Sequence, residues 1–179
     1  MTIDSDVKDL KDLKVFMQDG VARAAWGTAA WRCAIGHGAL GTKTREGDGI
    51  TPVGRWTMRR VLYRADRLAR PETALPCQAI APDDGWCDDP ADPAYNRPVR
   101  LPYPASHERL TRDDPLYDVV VVLGHNDDPV VPGAGSAVFL HVARDDYGPT
   151  EGCVALALAD LLALLKTARP GSAVDVGES

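Results

Sequence analysis

Two apolar runs constrain this chain more than any other feature: Asp118-Val-Val-Val-Val-Leu-Gly124 and Ser136-Ala-Val-Phe-Leu-His-Val142. Both are too short for an ordinary helix and rich in β-branched residues, and the turn-forming pairs Asp128-Pro129 and Pro132-Gly133 lie between them. Runs of this kind read as central strands buried on both faces. Upstream, the short runs 13–17 and 21–26 flank Gln18-Asp19-Gly20, and Asp-Gly readily supplies the positive backbone angles of a tight hairpin. With a third run over 28–35, a β-meander opens the fold. Gly36 to Gly54 reads as a long ordered loop feeding a strand over 55–63. The Pro- and Asp-rich stretch 70–104 reads as irregular structure laid over a scaffold. Leu158, Leu161, Leu162 and Leu165 fall at i, i+3, i+4 and i+7, which describes one apolar helix face over about 157–168. Arg169-Pro170-Gly171 ends that helix, and a short strand over 173–176 follows. The expected fold is mainly β with minor α.

The chain has 179 residues, of which 45% are hydrophobic and 26% charged. That suits one domain spanning 1–179, with the charged segment 1–12 peripheral or flexible. The formal net charge is -6, and Arg59, Arg60, Arg64, Arg67 and Arg70 are interleaved with Tyr63 and Asp66 rather than gathered into a patch. Nucleic acid is therefore not an expected partner. No run of about 18 apolar residues is present, so membrane insertion is not expected. The N-terminal stretch lacks the run of about 7–15 apolar residues of an export signal. The expectation is a cytoplasmic location, or a periplasmic one if the sequence begins after a removed leader. Cys33, Cys77, Cys87 and Cys153 are irregularly spaced and read as reduced thiols, with Cys77 and Cys87 able to pair in an oxidising compartment. Oligomeric state leaves no signal in the sequence.

One constellation carries chemistry. His141 sits at the end of a rigid strand, and Cys153 lies a short loop later at the expected mouth of the helix. A thiol of ordinary pKa, about 8.5, needs a neighbouring imidazolium or a helix N-terminus to become a useful thiolate, and this placement offers both. Gly152 lets the backbone approach a tetrahedral intermediate, and the adjacent amides, chiefly that of Cys153, can form an oxyanion hole. Spacing alone leaves a second reading open, in which Cys153 is a small buried hydrophobe and His141 a satisfied strand-end residue. Gly36-His-Gly-Ala-Leu-Gly41 satisfies a dinucleotide-binding pattern literally, but the following residues do not open a helix, so no nucleotide is expected. No metal or other cofactor is expected either. The His and Cys residues lack zinc-ligand spacing, His125 with Asp127 and Asp128 reads as a pocket or turn, and Asp83, Asp84, Asp88 and Asp89 lack the order of a calcium loop.

Phe139-Leu-His141 and Thr150-Glu-Gly-Cys-Val154 resemble the two halves of the active-site signature of the L,D-transpeptidase catalytic-domain family, in which a histidine precedes a Ser/Thr-His-Gly-Cys segment. Lys43-Thr-Arg-Glu-Gly-Asp-Gly-Ile-Thr-Pro-Val-Gly54 resembles the family's Gly- and Pro-containing loop. Ala94-Tyr-Asn-Arg-Pro98 and Gly124-His-Asn126 resemble elements of a signal-less branch. The likeness covers most of residues 13–177. Three features depart from the pattern: Glu151 stands in place of the usual histidine, Ala155 in place of Asn or Arg, and the interval from His141 to Cys153 is shorter.

The resemblance implies a β-sandwich-like domain acting on peptidoglycan stem peptides or muropeptides. Cys153 attacks the carbonyl of an L-configured centre, a terminal D-amino acid leaves, and an acyl-enzyme results, with His141 as base and proton shuttle. Release by an amine makes an L,D-transpeptidase, and release by water an L,D-carboxypeptidase. The missing leader tilts the expectation towards hydrolysis. A third reading, kept open by Glu151, is a non-catalytic module that binds or senses peptidoglycan fragments. Thr150 and Glu151 flank the nucleophile, His125, Asn126 and Tyr95 are expected to line the cleft, and Arg97, Arg100 or Arg144 to meet the substrate carboxylate.

Overall fold

The computed structural model describes residues 11–177. The hairpin expected at the start is present: β1 (Asp12–Gln18) and β2 (Val21–Trp26) pair antiparallel. Asp19 and Gly20 both take positive φ, 51° and 75°, which matches the turn to the right-handed twist of the strands. β3 (Ala29–Ala34) completes the meander. The long loop carries one small pairing of its own, β4 (Leu40–Gly41) with β5 (Thr51–Pro52), and leads into β6 (Gly54–Tyr63). Of the segment 1–12, residues 1–10 lie outside the described residues. Asp12 is not peripheral, because it opens β1 and pairs with Arg55 at 2.8 Å.

β11 (Val119–Leu123) and β12 (Phe139–Val142) are the two strands expected from the β-branched runs. Val119, Val121, Leu140 and Val142 join the main core, while Val120, Val122 and Phe139 join a second cluster with Trp86, Tyr117 and Cys153. Both strands are thus buried on both faces, as alternation of side chains requires. β13 (Val154–Leu156) lies parallel to β12, and β14 (Ala173–Val176) lies parallel to β1. The main sheet runs β11-β12-β13-β3-β2-β1-β14-β6, and β6 then pairs with β11 along its other edge. The sheet is a closed barrel rather than a sandwich. Closure is possible because β6 has 10 residues, enough to pair with β14 through Gly54–Thr57 and with β11 through Met58–Tyr63.

The stretch 70–104 is more ordered than its prolines suggest. β7 (Cys77–Ala79) extends the main sheet beside β6. β8 (Asp84–Cys87), β9 (Pro98–Arg100) and β10 (His107–Arg109) form a separate sheet in the order β10-β8-β9. Pro98 is tolerated because β9 is an edge strand. Trp86 of β8 meets the Phe139 ring edge-on, with centroids 5.1 Å apart, so this small sheet covers the outer face of β11 and β12. Cys77 and Cys87 are both free thiols.

α1 (Leu158–Leu165) is the expected helix, but its buried stripe is Leu161, Leu164 and Leu165, continued by Ala168. The face is rotated from the one anticipated, since Leu158 and Leu162 sit at its margin. Each fully buried leucine is worth roughly 1.5–3 kcal/mol relative to exposure. Among the described residues, no helix is long and apolar enough to cross a membrane.

Candidate active site

His141 and Phe139 point to the same face of β12, one pleat apart. Cys153 directly precedes β13, whose register with β12 pairs Leu140 with Val154 and His141 with Ala155. Parallel pairing therefore sets Cys153 beside Phe139 and brings thiol and imidazole to one face of adjacent strands. Both open into a single cavity of about 280 Å³. The thiol donates to the Ala137 carbonyl at 3.3 Å and accepts from the Phe139 amide at 3.4 Å. Among the described residues no hydrogen bond joins it to His141. His141 Nδ1 meets the Val142 carbonyl at 2.9 Å. A carbonyl can only accept, so the proton sits on Nδ1 and Nε2 keeps a free lone pair.

The electrostatics overturn the expected low-pKa thiolate. Burial pushes the Cys153 thiol up to about 12, and the Glu108 carboxyl adds to this. Burial also pulls the His141 imidazole down to about 4. Nor does a helix N-terminus face the sulfur, because β13 intervenes between Cys153 and α1. The resting pair is a neutral thiol and a neutral imidazole. Peptide-resolved alkylation of Cys153 by iodoacetamide should accordingly be slow at pH 7 and keep rising beyond pH 9, since each pH unit below the thiol pKa costs tenfold in thiolate. A plateau below pH 7 would disprove the neutral pair.

The backbone around the nucleophile is held by two hydroxyls. Thr150 Oγ1 and Thr51 Oγ1 donate to the Cys153 carbonyl at 2.6 Å and 3.4 Å. Thr150 Oγ1 also accepts from the Gly152 amide at 3.1 Å, so that amide is occupied. The Cys153 amide has no partner among the described residues. Gly152 has φ 131°, and a Cβ there would lie 2.8 Å from the Ile50 carbonyl oxygen. Only glycine lets the Gly-rich loop lie this close.

Gly152, Thr150, Glu151 and Arg144 line the cavity together with Cys153 and His141. Glu151 is largely exposed and meets His37 Nε2 at 3.0 Å. Arg144 donates to the Pro149 carbonyl at 3.1 Å.

The other anticipated residues are placed elsewhere. Tyr95 is buried behind the cavity, where its hydroxyl bonds Glu46 and accepts from the Gly135 amide at 3.0 Å. His125 is buried against Trp56, with ring centroids 4.7 Å apart. Asn126 bonds the Val131 and Gly135 carbonyls, both at 2.9 Å, and so latches its loop. Arg97 donates to the Asp127 carbonyl at 2.7 Å, and Arg100 pairs with Asp83 and Asp84 at 2.8 Å and 2.7 Å.

Sequence reasoning passed over several residues that matter here. Glu108, on β10, lines the cavity and accepts from the Tyr117 hydroxyl at 2.6 Å. Burial raises its carboxyl. Tyr117 stacks edge-on against His141 at 5.3 Å, and Arg112 lies 5.0 Å over the Tyr117 ring. Asn96 Oδ1 accepts from Trp86 Nε1 at 3.0 Å and from the Ala137 amide at 3.1 Å. It thereby supports Ala137 at φ 50°, the residue whose carbonyl faces the thiol. A backbone held in this region at a functional site is one that its surroundings must over-determine. The quoted Tyr-Asn-Arg-Pro stretch contains Asn96, but nothing in it marks Asn96 rather than Tyr95 as the supporting residue.

No curated protein and no solved structure matches the chain. The family model for the L,D-transpeptidase catalytic domain matches residues 3–176. That match spans nearly the whole chain and includes His141 on β12 and Cys153 just before β13. The protein belongs to the L,D-transpeptidase catalytic-domain (YkuD-type) family of cysteine-dependent enzymes acting on peptidoglycan.

Proposed function

We propose that Cys153 and His141 are the nucleophile and general base of an acyl transfer on peptidoglycan stem peptides. The observation that carries this reading is their convergence into one cavity, beside an amide of Cys153 that no other group uses. His141 Nε2 takes the thiol proton as sulfur attacks the carbonyl of the L-configured centre. The developing oxyanion faces the Cys153 amide, where a fixed donor is worth most. Imidazolium then returns the proton to the departing nitrogen of the terminal D-amino acid, leaving the acyl-enzyme. Because both groups start neutral, the Cys153–His141 pair itself buries no charge before the substrate arrives.

Release of the acyl group by water is the favoured second half. Cys153 is only 8% exposed, so a small acceptor such as water reaches the acyl sulfur more readily than a bulky amine. Purified protein given a stem tetrapeptide should yield tripeptide and free D-alanine. With an added amine acceptor, an exchanged or cross-linked product would instead identify transpeptidation. Persistence of both tetrapeptide and acceptor would sink both enzymatic readings and leave a binding or sensing module.

A further inference from the structure

We infer that Lys43 is a catalytic residue, the side-chain half of the oxyanion hole whose backbone half is the Cys153 amide. This rests on the acyl-transfer reading above and assigns a group to it. Lys43 is anchored on the Gly-rich loop with a side chain only 6% exposed, paired at 2.8 Å with Asp48, itself 5% exposed. Burial opposes ionisation of Asp48, but the bonds from Lys43 and from the Thr44, Ile50 and Arg45 amides outweigh it and hold that carboxyl well below the usual range. A second Lys43 N–H donates to the Ile50 carbonyl at 3.2 Å.

An ammonium has three donors. The third has no partner among the described residues, and Lys43 lines the cavity that holds Cys153. Its Nζ lies 3.4 Å from the position a Gly152 Cβ would occupy, which places it over the peptide that carries the Cys153 amide. Glycine at 152 keeps that space open. Arg144 lines the same cavity and, bonded only to the Pro149 carbonyl, keeps donors for a substrate carboxylate, whereas Arg112 is held by Asp114, so Lys43 is not needed for that task. The Lys43–Asp48 pair and the Ile50 carbonyl fix the ammonium before substrate binds, and such pre-organisation is what makes an oxyanion donor effective.

The test compares two reactions of the same sulfur in wild type and Lys43→Met. Acylation by a stem tetrapeptide develops an oxyanion, whereas alkylation by iodoacetamide develops none. Acylation should fall by about 10²–10³, at least tenfold more than alkylation. Parallel loss of both rates would reveal a merely structural residue, and unchanged acylation would remove Lys43 from the mechanism. A loss confined to KM would make it a ground-state anchor and likewise overturn the assignment. If Lys43→Met does not fold, Lys43→Met with Asp48→Asn removes the orphaned carboxylate and is read in the same way. Wild-type protein that is never acylated overturns the acyl-transfer reading itself, whereas acylating wild type with an equally reactive variant overturns Lys43 alone.

Discussion

Intact protein exposed to a carbapenem should gain one covalent adduct, and Cys153→Ala should gain none; the same variant should turn over stem tetrapeptide no faster than buffer. This is the largest chemical effect expected, because no other thiol can substitute. Cys33 lies on β3, where burial pushes it up to about 12, and it does not line the catalytic cavity. Cys77 and Cys87 lie on β7 and β8, also outside the cavity, with thiols raised by burial. The fold should survive the change. Alanine removes one sulfur atom from a site that packs beside Phe139, and the main loss is the acceptor of the Phe139 amide, which costs about 1–3 kcal/mol if left unmet. Mass spectrometry reads the adduct and far-UV circular dichroism the fold. An adduct persisting in well-folded Cys153→Ala would remove Cys153 from the chemistry.

The largest structural effect is expected at Gly36. A Cβ there would sit 1.9 Å from the Gly49 carbonyl oxygen and 2.9 Å from the Gly152 Cα. Both obstacles are backbone, so no side chain can swing aside. Gly36 also donates to Thr51 Oγ1 at 2.8 Å, the hydroxyl that in turn reaches the Cys153 carbonyl. Gly36→Ala should therefore cost more than about 4 kcal/mol, in the exceptional range for one substitution, or prevent folding outright. Gly177→Ala, where nothing lies within 4 Å of the new atom, should leave stability nearly unchanged. Urea denaturation measures both. A Gly36→Ala midpoint close to wild type would show that the loop is not pinned where the geometry puts it. The same clash explains why Gly36-His-Gly-Ala-Leu-Gly41 mimics a dinucleotide motif: the glycines of its first half answer to backbone contacts, since a Cβ at Gly38 would also meet the Asp48 carbonyl oxygen at 2.7 Å.

Local signals were legible in the sequence where local physics decides. The Asp19-Gly20 turn, the β11 and β12 runs and the leucine helix all follow from period and propensity. The pairing of His141 with Cys153 was also legible, but through the signature around them. Barrel closure was not, because β6 pairing with both β14 and β11 depends on contacts far apart in the chain. The neutral dyad was missed for a specific reason. Val154-Ala155-Leu156 is an apolar triplet that serves equally as the start of a helix or as a strand, and parallel pairing with β12 made it a strand. That choice moved the helix N-terminus away from the thiol. Tyr95 and Asn126 looked like cleft residues and became supports instead, since a buried side chain with several hydrogen-bonding atoms is recruited first by nearby backbone. Lys43 and Glu108 carry no local mark of burial; only the folding of the Gly-rich loop and of the small sheet over β12 brings them to the cavity.

The parallel pairing of β1 with β14 has a consequence for how the molecule is reached. Lys14 bonds Asp175 across 161 residues of chain, and contacts so distant are the slowest to find, because loop-closure entropy precedes their reward. Until β14 inserts, β1 and the first half of β6 each present an unpaired row of amides and carbonyls, a template for association with other chains. The native ring covers that row at Asp12–Val15 of β1 and at Gly54–Thr57 of β6, so the hazard belongs chiefly to the folding chain. Refolding yield should accordingly be more sensitive to protein concentration than native stability is.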